Sequence, residues 1–311
     1  MDYDLIVVGG GPAGLSATLT AVCYKLKTLV IDAASAGGAP MNNFPWKIVD
    51  NTLGFRNMTG KQVADIFVNH IKEEGVEIKE NESIENITRD DAADEILVET
   101  NKNKYTAKAV VIAIGVLGKP RKANVQGENL NGVNYTLTDP NLYANKKILV
   151  AGGGDTAVEW AVGLDKAGAK TTIMHRKDVF RANEKNQTDI AQSKVKILWN
   201  TETKEILGEN GRVKKVMFAN NQTNETKTED FDEIFLALGN VPHSDFLEKI
   251  KVKTDERKMK ILVDETMRTS IKGIFAAGDI TQKWLKIPEA IGEGGYAGIC
   301  VYKYIKNPYW A

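Results

Sequence analysis

An α/β protein of two similar units, the second inserted into the first, is predicted by three features of the sequence. An apolar run, a glycine turn, a helix, a second apolar run and an acid follow one another from Asp4 to Asp32. The same order returns from Lys147 to Met174, this time ending on basic residues. A late apolar run, Gly273 to Asp279, ends in Gly-Asp without a strand–helix–strand unit of its own, so it should return to complete the first unit.

In the first unit, Leu5-Ile6-Val7-Val8 has the length and branching of a buried parallel strand. Gly9-Gly10-Gly11-Pro12-Ala13-Gly14 fits G-x-G-x-x-G. Leu15 to Lys25 reads as a helix, and Thr28-Leu29-Val30-Ile31 as the next strand, ending at Asp32. Gly9 allows the tight turn, Gly11 lets a pyrophosphate approach the backbone, and Gly14 packs helix on strand. The helix N-terminus then faces the phosphates, and a carboxylate about 20 residues on accepts ribose hydroxyls. A glycine turn alone is an ordinary strand-to-helix connection. The strand before, the helix after and the acid at that spacing point to dinucleotide binding.

After Asp32, Ala36-Gly37-Gly38-Ala39-Pro40 is a loop of small residues, either a surface for a bound ring or ribose or a plain connection. Gly60 to Gly75 reads as a helix with Val63, Ile66, Phe67 and Ile71 on one face. Strand-like runs follow at Val76 to Ile78, Ile96 to Val98 and Ala109 to Ile114. Gly115 and Gly118-Lys119-Pro120 then mark an exit from the unit.

In the second unit, Lys147 to Ala151 is a strand, Gly152 to Ala157 fits G-x-G-x-x-A, Val158 to Ala167 is a helix, and Thr171 to Met174 a strand. Where the first unit has Asp32, this one has His175-Arg176-Lys177, with Arg181 nearby. An acid there would repel a 2′-phosphate. Guanidinium forks and an ammonium bind one. The second unit therefore reads as an NADPH site, the alternative being a solvated basic loop.

Residues 195–237 look like strands and turns, with the polar run Asn220 to Asp230 an exposed hairpin loop. Gly239-Asn240-Val241-Pro242 mirrors the earlier exit. A last helix runs from about Glu289 through Tyr304 and carries Gly292, Gly294, Gly295 and Gly298. Each glycine costs about 1 kcal/mol of helix propensity relative to alanine, which implies that something large packs closely there.

Composition narrows the partners. Forty-one basic and 41 acidic residues cancel, so nothing draws the chain to nucleic acid or to a membrane surface. No apolar run approaches the roughly 20 residues of a membrane span. The chain enters a strand at once, without the basic and apolar regions of an export signal, and a cytoplasmic location is the expectation. Cys23 and Cys300 lie far apart in predicted helices, and each is expected to be a buried structural thiol. His70, His175 and His243 show no metal-ligand spacing, so no metal is expected.

Two dinucleotide turns, the second basic, and a late Gly-Asp resemble the two-dinucleotide-binding-domain flavoproteins. Length and the compact insert are similar to the low-molecular-weight thioredoxin reductases and to the ferredoxin–NADP reductases that share their fold. The likeness spans nearly the whole chain: Gly9–Gly14, Gly37-Gly38, Ala113–Pro120, Gly152–Ala157, His175 to Arg181, and Ala276-Ala277-Gly278-Asp279. It implies two Rossmann-type, three-layer ββα dinucleotide-binding domains. Residues 1–118 and 244–311 would bind FAD, and residues 119–243 would bind NADPH. For FAD it implies Gly9, Gly11, Pro12, Ala13 and Gly14 at the turn and Asp32 at the ribose. Gly38, Ala39 and Phe44 would approach the flavin, and Gly278-Asp279 the ribityl chain, with Ile84, Gly118 and Ile287 also lining the site. For NADPH it implies Gly152, Gly154, Asp155, Thr156, His175 and Gly239, with Arg176, Lys177 and Arg181 at the 2′-phosphate. A homodimer, and hinges at the two exits, follow from the same likeness.

Departures from the pattern redirect the function. Thioredoxin reductases of this kind carry Cys-x-x-Cys and an acid just before the second dinucleotide strand. Here that stretch is Asn134-Tyr135-Thr136-Leu137-Thr138-Asp139-Pro140, without cysteine. No dithiol means no thiol exchange with a disulfide. The ferredoxin–NADP reductases of this fold also lack the pair. Their Gly-Gly-Gln and Tyr-Pro-Glu-Lys are matched partly by Gly37 to Lys47, with Ala39, Phe44 and Trp46 in place of Gln, Tyr and Glu. They also usually extend past the final helix, whereas here Ala311 follows soon after Tyr304, so a more open flavin is expected. The resemblance thus implies an FAD-dependent NADPH oxidoreductase, without a catalytic side chain, that passes electrons to ferredoxin or flavodoxin. The alternatives are a cysteine-free thioredoxin reductase relative with another acceptor (oxygen, a quinone, free flavin or another protein) and a nucleotide-binding redox sensor without turnover.

Overall fold

The computed structural model describes residues 1–116, 118–241, 243–281 and 285–307. They divide into two compact units, one from residues 1–118 with the described part of 242–311, the other from residues 119–241.

The first unit begins with β1 (Tyr3–Val8), α1 (Pro12–Cys23), β2 (Thr28–Ile31), the short α2 (Ala39–Asn42) and α3 (Gly60–Glu73). Four strands follow: β3 (Glu77–Lys79), β4 (Ile84–Asp90), β5 (Glu95–Thr100) and β6 (Lys104–Ile112). They form one sheet in the order β3-β2-β1-β6-β5-β4. The first four are parallel, and β6-β5-β4 is an antiparallel meander.

The second unit opens on β7 (Lys119–Pro120) and β8 (Val133–Asn134). Then come β9 (Lys147–Ala151), α4 (Asp155–Lys166), β10 (Lys170–Met174), α5 (Glu184–Ala191) and β11 (Lys196–Leu198). It closes with β12 (Thr201–Glu209), β13 (Arg212–Asn220), β14 (Thr226–Asp230), β15 (Glu233–Leu236) and β16 (Asn240–Val241). A parallel sheet β11-β10-β9-β15-β8 stands beside an antiparallel β12-β13-β14. The chain then returns to the first unit through α6 (Ser244–Lys249), β17 (Ile274–Ala276) and α7 (Ile287–Lys306).

Strand β6 explains the three layers of the first unit. Its start pairs with the meander (Glu99 opposite Lys104, Ile96 opposite Ala107), and its end pairs with β17 (Ile274 opposite Val110). The meander therefore leaves the sheet plane just where β17 enters it. Successive side chains of β1 serve opposite faces. Ile6 and Val8 pack with Ile87, Ile96 and Val98 of the meander. Leu5 and Val7 pack with Ala13, Ala17 and Ala21 of α1 and with Ala297 and Val301 of α7. The second unit repeats this plan. Leu149, Met174 and Ile234 of its parallel sheet meet Val213, Val216 and Phe218 of the meander. On the other face Phe235 stands edge-on to Tyr143 and Trp160.

Two expectations change, and a third gains its partner. The run from Asn220 to Asp230 is only half loop: Thr226–Asp230 is the edge strand β14, in register from Ala219–Thr226 to Lys215–Asp230. Its polar residues are tolerated because this antiparallel edge faces water. Cys23 is exposed, because it is the last residue of α1 and lies beyond the helix's buried stretch, whereas Cys300 is buried. What packs against the glycines of α7 is another helix. A Cβ at Gly294 would stand 2.0 Å from the Ala13 carbonyl, and one at Gly298 2.7 Å from that of Ala17.

The two exits run side by side within the second unit. Lys119 pairs with Val241 and Pro120 with Asn240, antiparallel, and the Arg121 N–H donates to the Gly239 carbonyl at 2.9 Å. Pro242, part of the second expected hinge, lies outside the described residues.

Candidate functional site

Both glycine turns sit at the carboxyl ends of parallel strands, where open α/β sheets take their ligands. In the first, Gly9 has φ +105°, and a Cβ there would come 2.4 Å from the Ala113 carbonyl. A Cβ at Gly14 would fall 1.8 Å from the Gly9 carbonyl, so only glycine lets α1 start this close to β1. Asp32 closes the turn. Its Oδ2 accepts the Gly10 N–H at 2.6 Å and its Oδ1 the Ala34 N–H at 2.8 Å. Burial pushes this carboxyl up, against the two N–H donors, which favour the anion.

Other expected residues converge here. The Gly37 N–H donates to Gly10 O at 2.7 Å, and a Cβ on Gly38 (φ +64°) would lie 2.6 Å from the Gly11 Cα. Gly278 (φ +82°) comes so close to α1 that a Cβ would stand 2.6 Å from that of Ala13. Asp279 follows it, half-buried, with its acid pushed up to about 6, by burial first and by Glu293 and Glu289 against Lys260. Ala39 begins α2, and the Phe44 carbonyl meets the start of α3, 2.6 Å from where a Gly60 Cβ would be. Ile84 packs on the core of the sheet. The segment before it passes the end of β2, with the Glu82 N–H donating to Asp32 O at 2.9 Å. Ile287 is the first residue of α7. The Gly118 N–H donates locally, to Val116 O at 3.0 Å.

The second turn is built differently. A Cβ on Gly152 would meet the Ala237 carbonyl at 2.5 Å, and one on Gly153 would stand 2.2 Å from Nδ1 of His175. His175 is thus the floor of the turn and does not join the cations around it. Its ring lies buried beside Phe180 (centroids 5.9 Å), which in turn contacts Trp199 (4.4 Å). Burial first, then Arg181, Arg176 and Lys177, holds the imidazole below its ordinary value and therefore neutral at pH 7. Above this aromatic floor Arg176, Lys177 and Arg181 are exposed, and the Arg181 N–H donates to Gly153 O at 2.8 Å, tying the basic loop to the glycine turn.

Asp155, implied at the NADPH site, also holds a neighbouring helix. Its Oδ1 accepts the Asn183 N–H at 2.8 Å, Asn183 Nδ2 at 2.6 Å and Asn186 Nδ2 at 2.7 Å, which fixes α5 to the start of α4. Thr156 is exposed in the first turn of α4, and Gly239 (φ +86°) lies in open space.

The starts of α1 and α4 differ from those of α3 and α5. α3 carries a full capping box of Thr59 and Gln62, and Asn183 caps α5. The N-caps of α1 and α4 are Gly11 and Gly154, which offer no side-chain acceptor to the first N–H groups. Orphan N–H groups and the positive end of the helix dipole suit a phosphate. Among the described residues nothing lies within 4 Å of a Cβ placed on Gly154.

Where a dithiol would sit, the second unit has a phenol. The Tyr135 hydroxyl donates to Glu128 Oε1 at 2.5 Å, and Lys122 Nζ donates to the same hydroxyl at 3.1 Å while lying 4.2 Å over the ring. Leu137 is fully buried, and Asp139 caps a short 3₁₀ turn, Pro140–Tyr143. Among the described residues no cluster of three or more His, Cys, Asp or Glu could hold a metal, and no helix is long and apolar enough to cross a membrane. Glu293 is the site residue that the sequence did not suggest. It sits among the glycines of α7 with no motif to mark it, and it accepts the Gly278 N–H at 2.8 Å.

The sequence profile described as pyridine nucleotide-disulphide oxidoreductase matches residues 3–294. A ferredoxin–NADP reductase of Ignicoccus hospitalis is 37% identical over 309 residues, covering 99% of each chain. A thioredoxin reductase of Bacillus subtilis is 34% identical over 311 residues, covering 98% of this chain and 95% of its own. The crystal structure of Lactococcus lactis thioredoxin reductase superposes with a TM-score of 0.85 at 30% identity, over 98% of this chain and 100% of its own. The chain belongs to the pyridine nucleotide-disulphide oxidoreductase family.

Proposed function

From membership of that family we propose that the chain is an FAD-dependent NADPH oxidoreductase that delivers electrons to a ferredoxin- or flavodoxin-type carrier. Bound FAD would supply hydride acceptance from NADPH and release of electrons one at a time. The first turn fits FAD: uncapped N–H groups of α1 for the pyrophosphate, Asp32 beside it for the ribose, and the Gly278-Asp279 turn pressed on α1. The second fits NADPH: uncapped N–H groups of α4 for the pyrophosphate, and Arg176, Lys177 and Arg181 above a neutral His175 for the 2′-phosphate. The side chains bind, orient and balance charge, and none is assigned as an acid or a nucleophile.

One observation carries the choice of acceptor. The segment Asn134–Pro140 holds a buried leucine and a hydrogen-bonded tyrosine but no thiol, so a disulfide substrate finds no dithiol there to exchange with. The full-length likeness to a ferredoxin–NADP reductase supports the same choice. Anaerobic NADPH should bleach the flavin absorbance, and cytochrome reduction should then depend on added ferredoxin or flavodoxin. Thioredoxin-dependent reduction of an aromatic disulfide should be absent. Cytochrome reduction indifferent to either carrier would remove this acceptor. Ala39, Phe44 and Trp46, which depart from the ferredoxin–NADP reductase pattern, would then favour the second reading, an oxygen, quinone or free-flavin acceptor.

A further inference from the structure

We infer that Glu293 is a positioning residue for Asp279: its carboxylate fastens both ends of the Gly278–Thr281 turn to α7. This rests on the FAD reading of the first unit. The Gly278 N–H donates to Glu293 Oε2 at 2.8 Å, and the Thr281 hydroxyl lies 2.6 Å from the same oxygen. That hydroxyl also lies 2.8 Å from Gly278 O, but it has one proton, and the charged acceptor takes it. The Thr281 N–H closes the turn on Gly278 O at 2.8 Å.

Neither side of this clasp has room to drift. Gly278 is pressed on Ala13, and Gly294, the neighbour of Glu293, is pressed on the Ala13 carbonyl. Glu293 therefore joins two segments that both bear on the first turn of α1, the turn expected to face the pyrophosphate. Helix capping does not explain it, since Glu293 lies seven positions C-terminal to the Lys286 N-cap.

Glu293 also acts through charge. Among the described residues, the charged groups facing Asp279 are Glu289 and Glu293 of α7 and Lys260. Both glutamates disfavour the aspartate anion and Lys260 favours it, while burial is the largest influence. The ionised form is the better acceptor for ribityl hydroxyls, so FAD affinity should fall as pH drops through about 6.

The test is rebinding of FAD to the full-length protein after its removal, followed by flavin fluorescence between pH 5 and 8. Glu293→Gln keeps an oxygen for both donors and loses the charge. Its affinity at pH 8 should stay within about two-fold of wild type, while the midpoint of its pH profile moves below that of wild type. Glu293→Ala leaves the Gly278 N–H and the Thr281 hydroxyl without their acceptor and should weaken FAD about ten-fold at pH 8. Wild-type affinity in the alanine variant would overturn the assignment, and so would an unmoved midpoint in the glutamine variant, which decides the matter alone if the alanine variant does not fold. Wild-type protein that binds no FAD overturns the function reading itself.

Discussion

The two glycine turns share a backbone plan and differ in what lies beneath them. Under the first is a carboxylate, Asp32, which accepts the Gly10 N–H at 2.6 Å. Under the second is an imidazole, His175, pressed so closely on Gly153 that a Cβ there would stand 2.2 Å from the ring. The last small residue of each turn differs as well: Gly14 in the first, Ala157 in the second. α1 has α7 pressed on its first turn through Gly294, and it begins so near β1 that a Cβ at Gly14 would collide with Gly9 O. α4 stands off far enough for the methyl of Ala157, which lies 2.9 Å from where a Gly152 Cβ would be. One fold thus makes a tight anionic turn and a looser one floored by a neutral aromatic ring and ringed by cations.

Exchanging the last small residue tests that difference, and it carries the largest expected effect. Gly14→Ala should cost about 3 kcal/mol or more, because the methyl meets backbone that is fixed from both sides. Ala157→Gly should cost about 1 kcal/mol, the helix-propensity difference. Thermal melts of the two variants read the contrast directly. Equal melting shifts would mean that the two helices are seated alike.

Removing the cations comes next. Arg176→Ala with Arg181→Ala should raise KM for NADPH about a hundred-fold, since each lost charged contact is worth about 1.5–3 kcal/mol in favourable geometry. KM for NADH, which has no 2′-phosphate, should change far less. Binding of 2′,5′-ADP, followed by calorimetry, should weaken in parallel. A matching loss for both nucleotides would place the cations away from the 2′-phosphate and end the distinction between the two turns.

The parts of this comparison that were legible in the sequence are those fixed by local chemistry. Leu5–Val8 and Ile148–Ala151 are buried strands because their apolar side chains serve both faces. Glycines at φ above zero, an acid after one β-strand and bases after the other can be read without a fold. Residues that depend on a distant segment could not be read this way. His175 looked like one more basic residue, because its burial depends on the missing Cβ of Gly153 and on Phe180. Asp155 gave no sign of its bonds to Asn183 and Asn186, which stand 28 and 31 positions on. Cys23 looked buried because α1 is apolar nearly all round, sandwiched between sheet and α7, and nothing local shows where that sandwich ends. Glu293 meets Gly278 across a turn and the start of a helix, 15 positions away, and no spacing rule covers such a pair.

The smallest expected effect compares the second glycine turn with the Gly278–Thr281 turn that packs on α1, because these two should respond to pH in opposite senses. Folding holds His175 below its ordinary value of 6.5, so the unfolded chain accepts a proton that the folded one refuses. Its contribution is complete above about 6.5 and is lost as pH falls below that. Asp279 has the reverse sign. Its folded value is pushed up to about 6 from 3.8, so the folded chain holds the proton more tightly, and stability is lost as pH rises between those values. Hydrogen exchange of the FAD-free protein between pH 4.5 and 7.5, corrected for the intrinsic pH dependence of exchange, follows each turn separately. Residues 152–157 should lose protection toward low pH, and residues 278–281 should lose it toward neutral pH. His175→Phe should flatten the first trend and leave the second, and Asp279→Asn should do the converse. Trends of the same sign in both segments would show that a common titration, and not His175 in one and Asp279 in the other, governs them.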